Sequence, residues 1–175
     1  MSILLGPAHQ LGFVVRDMHA AMHNWTEKMG IGPFFYLDSF PVISCHYKGE
    51  PTPLAVRLAL SYSGPMQIEL IEPTSDAPSA YRDFLDAGNE GLHHLGFLSE
   101  DYDADLERAL KTGLTIEQSG VALDPQTKFA YFASTGHNGT VMELIALSDA
   151  LRPIFEMVRK AASDWDGSDP LRNMV

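Results

Sequence analysis

Gln10-Leu11-Gly12-Phe13, followed by Asp17, returns as His94-Leu95-Gly96-Phe97, followed by Asp101. Each copy has a later partner, Gln67-Ile68-Glu69-Leu70 in the first half and Val141-Met142-Glu143-Leu144 in the second. A self-similar order inside one chain marks a duplicated structural unit. It places four side chains able to bind a metal, Gln10, Glu69, His94 and Glu143, at matching points of two similar halves.

The elements around these stretches read outward in the same order twice. Residues 9–15 are short, β-branched and aromatic, and enter after Gly6-Pro7, as a strand does. Asp17 is placed to cap a helix over 18–29 that Gly30 ends. Phe34 to Tyr36, residues 56–60 and Met66 to Ile71 read as strands, the last closed by Pro73. Residues 41–53, broken by Pro41, Gly49, Pro51 and Pro53, read as a strand fragment plus a mobile loop. The first half is therefore β-α-β-β-β.

A linker over 74–92 carries a short helix near Ala80–Ala87. His94 to Leu98 then starts the second copy, with Asp101 capping a helix over 102–112 and Gly113 ending it. Ile116, Val121 and Leu123 suggest an irregular strand. Phe129 to Ala133 and Thr140 to Ala146 are strands, and Asn138-Gly139 is a hairpin signal between them. Residues 150–162 have helical apolar spacing at Leu151, Ile154, Phe155 and Val158, with Pro153 in the first turn. This helix has no counterpart in the first half. It is expected to pack on the sheet or on a partner subunit, and the polar stretch 163–175 to be loosely ordered.

Composition narrows the class. An apolar content of 45% supports a packed interior. No apolar run spans a bilayer, and Ile3-Leu4-Leu5 is too short for a secretory signal, so no membrane partner and a cytoplasmic location are expected. Cys45 is alone, which excludes an intramolecular disulfide framework. With 12 basic and 23 acidic residues the net charge is −11, and nucleic acid is not an expected partner. The motifs of nucleotide loops, thiol pairs, zinc helices and nucleophile elbows are absent.

Strand alternation places Gln67, Glu69 and Ile71 on one face, and Glu143 on a face with Val141 and Ile145. His94 shares its face with Gly96, and Gln10 with Gly12, a small residue that leaves room beside each candidate. A carboxylate in an apolar strand costs several kcal/mol unless it is paired or metal-bound. Glu69 and Glu143 would converge if the halves pack about a pseudo-two-fold axis, and a divalent cation between them removes their repulsion. One imidazole with oxygen ligands suits Zn, Ni, Co, Mn or Mg. Two readings of the residues stay open. His9 precedes Gln10, and a shift by one residue exchanges them. Glu69 and Glu143 could instead be half-exposed partners of Arg57 or Lys128.

The order H/Q-x-G-x-x-V-x-D, the Ile68-Glu69-Leu70 strand, Gly91-Leu92-His93-His94-Leu95-Gly96-Phe97 and the closing Glu143-Leu144 strand resemble the vicinal oxygen chelate superfamily. That group includes glyoxalase I, methylmalonyl-CoA epimerase, extradiol dioxygenases and bleomycin-resistance proteins. The resemblance covers roughly residues 8–147. It implies an α+β fold in which two tandem β-α-β-β-β modules form a cupped mixed sheet, plus an extra C-terminal helix. Module one would span 8–73 and module two 92–147 within a domain over 1–147, with helix and tail over 148–175.

The same resemblance implies metal ligands at Gln10, Glu69, His94 and Glu143. It implies a divalent-metal-dependent lyase, isomerase or epimerase acting through an enediolate on a small substrate with adjacent oxygens, with Glu143, or else Glu69, as the catalytic carboxylate. The epimerase branch places a catalytic Glu in a region where this chain has Glu50, Thr52 and Pro53, and no Glu of this chain aligns with it. The alternatives are a metal-free small-molecule-binding protein of the resistance type and an extradiol-type dioxygenase, which needs His9 to point inward. Pairing as a homodimer through the C-terminal helix is a further expectation of the resemblance.

Overall fold

The computed structural model describes residues 2–133 and 141–174. The predicted hairpin at Asn138-Gly139 lies outside them. The first half runs β1 (Gln10–Val14), α1 (Met18–Met29), β2 (Phe34–Leu37), β3 (Val42–Tyr47), β4 (Glu50–Pro51), β5 (Val56–Ser63) and β6 (Met66–Pro73). Helix α2 (Ala80–Asp86) links it to β7 (Gly91–Ser99), α3 (Tyr102–Lys111), β8 (Ile116–Ala122), β9 (Lys128–Phe132) and β10 (Val141–Ala146). Helix α4 (Leu151–Ser163) and β11 (Leu171–Asn173) close the chain.

The strands form one mixed sheet in the order β11-β2-β5-β6-β1-β7-β10-β9-β8-β3-β4. Its centre is symmetric: β2-β5-β6-β1 meets β7-β10-β9-β8 at the antiparallel β1–β7 pair. Within each half the strands that carry the candidate residues run parallel, β1 with β6 and β7 with β10. This is the α+β architecture of paired β-α-β-β-β units on a cupped sheet that the resemblance implied.

Local chemistry sets the helices. The Asp17 and Asp101 carboxylates accept from the Ala20 and Ala104 amides at the first turns of α1 and α3. Gly30 adopts a left-handed conformation with φ 66, which ends α1 without steric cost. Both helices cover the outer face of the sheet. Met18 and Met22 pack on Ile68 and Leu70, and Ala109 packs among Phe97, Phe132 and Leu144. Ile68 and Leu70 flank Glu69, and Leu144 follows Glu143, so burying the outer face holds these carboxylates inward.

Two segments differ from expectation. Residues 42–51 are not a mobile loop but a hairpin, turned by Lys48 and Gly49 at positive φ. It leaves the first half and adds β3 antiparallel to β8 of the second. The polar end is also tied down, because β11 pairs in parallel with β2 at the opposite edge.

Helix α4 lies on the inner face. Leu151, Phe155 and Val158 pack on Phe35, Leu58, Leu60 and Ile145. Of the two surfaces the sequence reading allowed, the sheet or a partner subunit, Leu151, Phe155 and Val158 take the sheet. Among the described residues, no helix is long and apolar enough to cross a membrane.

Candidate metal centre

The four central strands bring the candidates into two rows. In one row Glu69 on β6, Gly12 on β1 and His94 on β7 lie side by side, and Val141 on β10 follows. In the other, Gln67, Gln10, Gly96 and Glu143 do the same. The pseudo-two-fold exchanges the rows, so Gln10 answers His94 and Glu69 answers Glu143. All four candidates are buried, with exposures of 2% for Gln10, 7% for Glu69, 0% for His94 and 5% for Glu143.

Each glycine makes room for the opposite half rather than for its own neighbour. A Cβ on Gly12 would stand 1.9 Å from His94 Cε1 and Nε2, and one on Gly96 would stand 2.5 Å from Gln10 Oε1. The sequence reading expected the space but assigned it to the ligand two residues away on the same strand. Pairing across β1–β7 decides otherwise.

One ligand atom each from Glu69, His94 and Glu143 falls within 4.8 Å of the others. His94 Nε2 lies 3.2 Å from Glu69 Oε2 and 3.2 Å from Glu143 Oε2. A single Nε2 proton serves only one of them. Glu143 Oε2 accordingly sits in ion-pair range of the imidazole yet accepts no hydrogen bond. Burial disfavours charge on His94, but the two carboxylates outweigh it and lift the imidazole to about 9. Burial likewise raises the Glu69 carboxyl, with Glu143 adding to the rise and His94 opposing it.

Gln10 is oriented by a neighbour. Its Nε2 donates to Gln67 Oε1 at 2.8 Å, and Gln67 Nε2 donates to the Tyr62 hydroxyl at 3.1 Å. The Gln10 Oε1 is left buried with no partner. An acceptor with no donor, beside two carboxylates sharing one imidazole, is a donor set that a cation would complete. The separations also suit one ion, since ligands about 2.0–2.2 Å from zinc stand about 3–4.4 Å apart.

The alternative pairings do not occur. Arg57 engages Glu72 at 2.8 Å and Asp38 at 3.4 Å, and Lys128 engages Asp103 at 2.9 Å. His9 lies one residue from Gln10 on an alternating strand, hence on the other face, and does not line the cavity that Gln10 lines. Glu50 is exposed on β4 and is not among the cavity residues.

Sequence reasoning gave His93 too small a part. The β1–β7 register slips between Gly12 and Phe13, so that Gly12 faces His94 while Phe13 faces Leu92. The slip leaves His93 as an extra residue and turns it inward beside its neighbour. Its ring sits against Tyr81, Phe84 and Tyr131, and burial holds it down to about 3, with His94 contributing. His93 Nδ1 lies 3.1 Å from His94 Nδ1, and when His94 is charged both its ring nitrogens donate, so neutral His93 accepts there. That contact keeps the His94 Nδ1 proton in place and aims Nε2 at the carboxylates. Nothing in the sequence marks the bulge. Gln67 was legible as a residue on the Glu69 face, but its partner was not.

Above the carboxylates is a cavity of about 80 Å³, closed on one side by Leu151 and Phe155 of α4 and on another by Val42 of β3. Its polar end is formed by Gln10, Glu69 and Glu143.

Comparison with known proteins agrees with this fold. The sequence profile described as Glyoxalase/Bleomycin resistance protein/Dioxygenase superfamily matches residues 9–131. No curated protein matches the sequence significantly. Among solved structures, methylmalonyl-CoA epimerase from Mycobacterium tuberculosis is 18% identical with a TM-score of 0.59, over 87% of this chain and 96% of that one. A Streptomyces coelicolor methylmalonyl-CoA epimerase variant in complex with 2-nitronate-propionyl-CoA is 19% identical with a TM-score of 0.54, over 83% and 96%. A hypothetical protein from Bacillus halodurans C-125 is 14% identical with a TM-score of 0.56, over 82% and 95%. At these identities the structures speak for the fold alone. The profile spans most of the chain, and the chain belongs to the Glyoxalase/Bleomycin resistance protein/Dioxygenase superfamily.

Proposed function

We propose that the protein is a divalent-metal-dependent lyase, isomerase or epimerase, with Gln10, Glu69, His94 and Glu143 as metal ligands. The observation that carries this reading is the buried convergence of Glu69, His94 and Glu143, with ligand atoms within 4.8 Å of one another. When bound, the cation supplies Lewis-acid polarisation to a substrate with adjacent oxygens.

The remaining work falls to side chains. Gln67 holds the Gln10 amide so that Oε1 faces the site, and His93 holds the His94 tautomer. Glu143 is the first choice for proton transfer, because its Oε2 is the carboxylate oxygen left without a hydrogen bond. It takes a proton from one carbon, breaking that C–H bond, and returns it to the same carbon or to its neighbour. The first outcome is epimerisation and the second isomerisation, and neither needs an oxidant. Glu69, hydrogen-bonded to His94, is the second choice.

The test is Glu143→Gln, which keeps the volume and removes the base. Turnover is expected to fall by about 100-fold or more, in line with loss of a general base, with the circular dichroism spectrum unchanged. Near-normal turnover would remove Glu143 from the mechanism. Metal analysis after dialysis separates this reading from a metal-free binding protein, which would carry no stoichiometric divalent ion.

A further inference from the structure

The cavity over the two carboxylates has one polar end and hydrocarbon elsewhere. Val56, Leu58, Leu60 and Ile145 line it from the sheet, Leu54 from the segment before β5, and Phe155 from α4. Among the described residues, Lys128 is the one cationic side chain in that lining. Its ammonium is committed elsewhere, 2.9 Å from Asp103 and over the Tyr102 ring, and the side chain is 40% exposed. Arg57, on the neighbouring strand β5, is held by Glu72 and Asp38. Of the hydroxyls in the wall, Tyr81 and Tyr131 bond each other at 2.8 Å, and Thr127 bonds Ser148 at 2.7 Å.

A carboxylate or phosphate held against the hydrocarbon wall, beyond the two oxygens at the polar end, would lose its hydration with no cationic side chain to replace it, and such transfer is costly. The chain's net charge of −11 adds long-range repulsion of anions. The volume of about 80 Å³ is below the roughly 150 Å³ of an apolar cavity that admits benzene. Phe155 and Leu151 limit its growth, because α4 is packed on the inner face through the buried Val158.

Resting on the metal-site reading above, we infer that the substrate is a small uncharged α-hydroxyketone or 1,2-dicarbonyl with short hydrocarbon substituents. Its two adjacent oxygens lie at the polar end formed by Gln10, Glu69 and Glu143, and its alkyl groups lie against Leu58, Leu60 and Phe155. Thioesters or hemithioacetals that carry charged carriers do not match the wall.

Two probes of similar size separate charge from shape: 3-hydroxypentan-2-one, which is neutral, and 3-hydroxy-4-oxopentanoate, in which a carboxylate replaces the terminal methyl of the ethyl group and is not adjacent to the ketone. Each is titrated into the full-length protein loaded with Zn2+ and carrying labelled methyl groups. The methyl resonances of Leu58, Leu60 and Ile145 are followed, and hydrogen exchange at C3 of the probe is followed in D2O. The neutral probe is expected to shift these methyls and to bind at least about tenfold more tightly than the acid.

Leu54 is only half-buried, so Leu54→Arg adds a cation at the edge of the wall without opening the core. It is expected to narrow or reverse that ratio. Equal or tighter binding of the acid by the natural protein, no binding of the neutral probe, or an unchanged ratio in Leu54→Arg each overturns the assignment. Binding of the neutral probe without exchange at C3 leaves the substrate class standing and removes proton transfer by Glu143. Exchange of the acid alone does the reverse.

Discussion

At the scale of single residues, the site depends on two positions where no side chain is tolerated. Gly12 adopts an ordinary backbone conformation, so only space restricts it. The Cβ of an alanine there would stand 1.9 Å from two atoms of the His94 ring, and 2.5 Å from a third. The imidazole has little freedom to yield, since Nδ1 is held by His93 and the ring packs 5.0 Å from Tyr131. Gly12→Ala is therefore expected to displace His94 at a cost of about 1–3 kcal/mol in stability. Divalent-metal affinity is expected to fall by about 10–100-fold, as for other losses of ligand support. Titration calorimetry beside thermal melting checks both, and unchanged affinity would show that the ring adapts. The four candidates were legible because duplication repeats them and because a carboxylate on an apolar strand needs a partner. The His93 contact was not, because alternation places adjacent residues on opposite faces and only a bulge brings them together.

Among the elements, those read correctly from sequence are those whose cause is local. Asp17 and Asp101 cap their helices, Gly30 ends α1, and alternation writes β6 and β10 into the sequence. Strand β11 was missed, and β3 was read only as a fragment beside a loop, because each pairs with an element far along the chain, β2 and β8 respectively. The prolines around them, Pro41, Pro51, Pro53 and Pro170, read as loop until the partner edge is known. Helix α4 was recognised from its spacing, but spacing does not say which surface receives it. Its position makes a prediction. Val158 is fully buried in the cluster that joins α4 to Leu58 and Leu60, and it does not line the cavity. Val158→Ala removes two methyl equivalents and leaves a small void, which costs about 2 kcal/mol. Thermal melting is expected to show that loss, while metal stoichiometry stays as in the natural protein. A neutral substitution would mean that α4 is docked by its other residues.

In the molecule as a whole, the candidate ligands straddle the line where the two halves meet. Gln10 and Glu69 come from the first half, and His94 and Glu143 from the second, on either side of the β1–β7 pair. A cation held by all four would clamp that seam, and its binding energy would add to folding. At a free concentration about 100 times its dissociation constant the gain is about 2.7 kcal/mol, and for a chain of this size the melting temperature rises by about 5–10 °C. Chelation should reverse the rise. The pH dependence gives the sharper test. In the chelated protein the carboxylates raise His94 from 6.5 to about 9, so its contribution is complete below about 6.5 and is lost as pH rises through about 9. The raised Glu69 carboxyl acts in the same direction, because its folded form resists the ionisation that rising pH imposes. Stability of the chelated protein should therefore decline across pH 6.5–9. Metal binding needs a neutral imidazole and displaces the proton, so the loaded protein should escape that decline. The gap between loaded and chelated melting temperatures is expected to widen from pH 6.5 to pH 9. A gap that stays constant, or narrows, would mean that His94 does not exchange its proton for a cation.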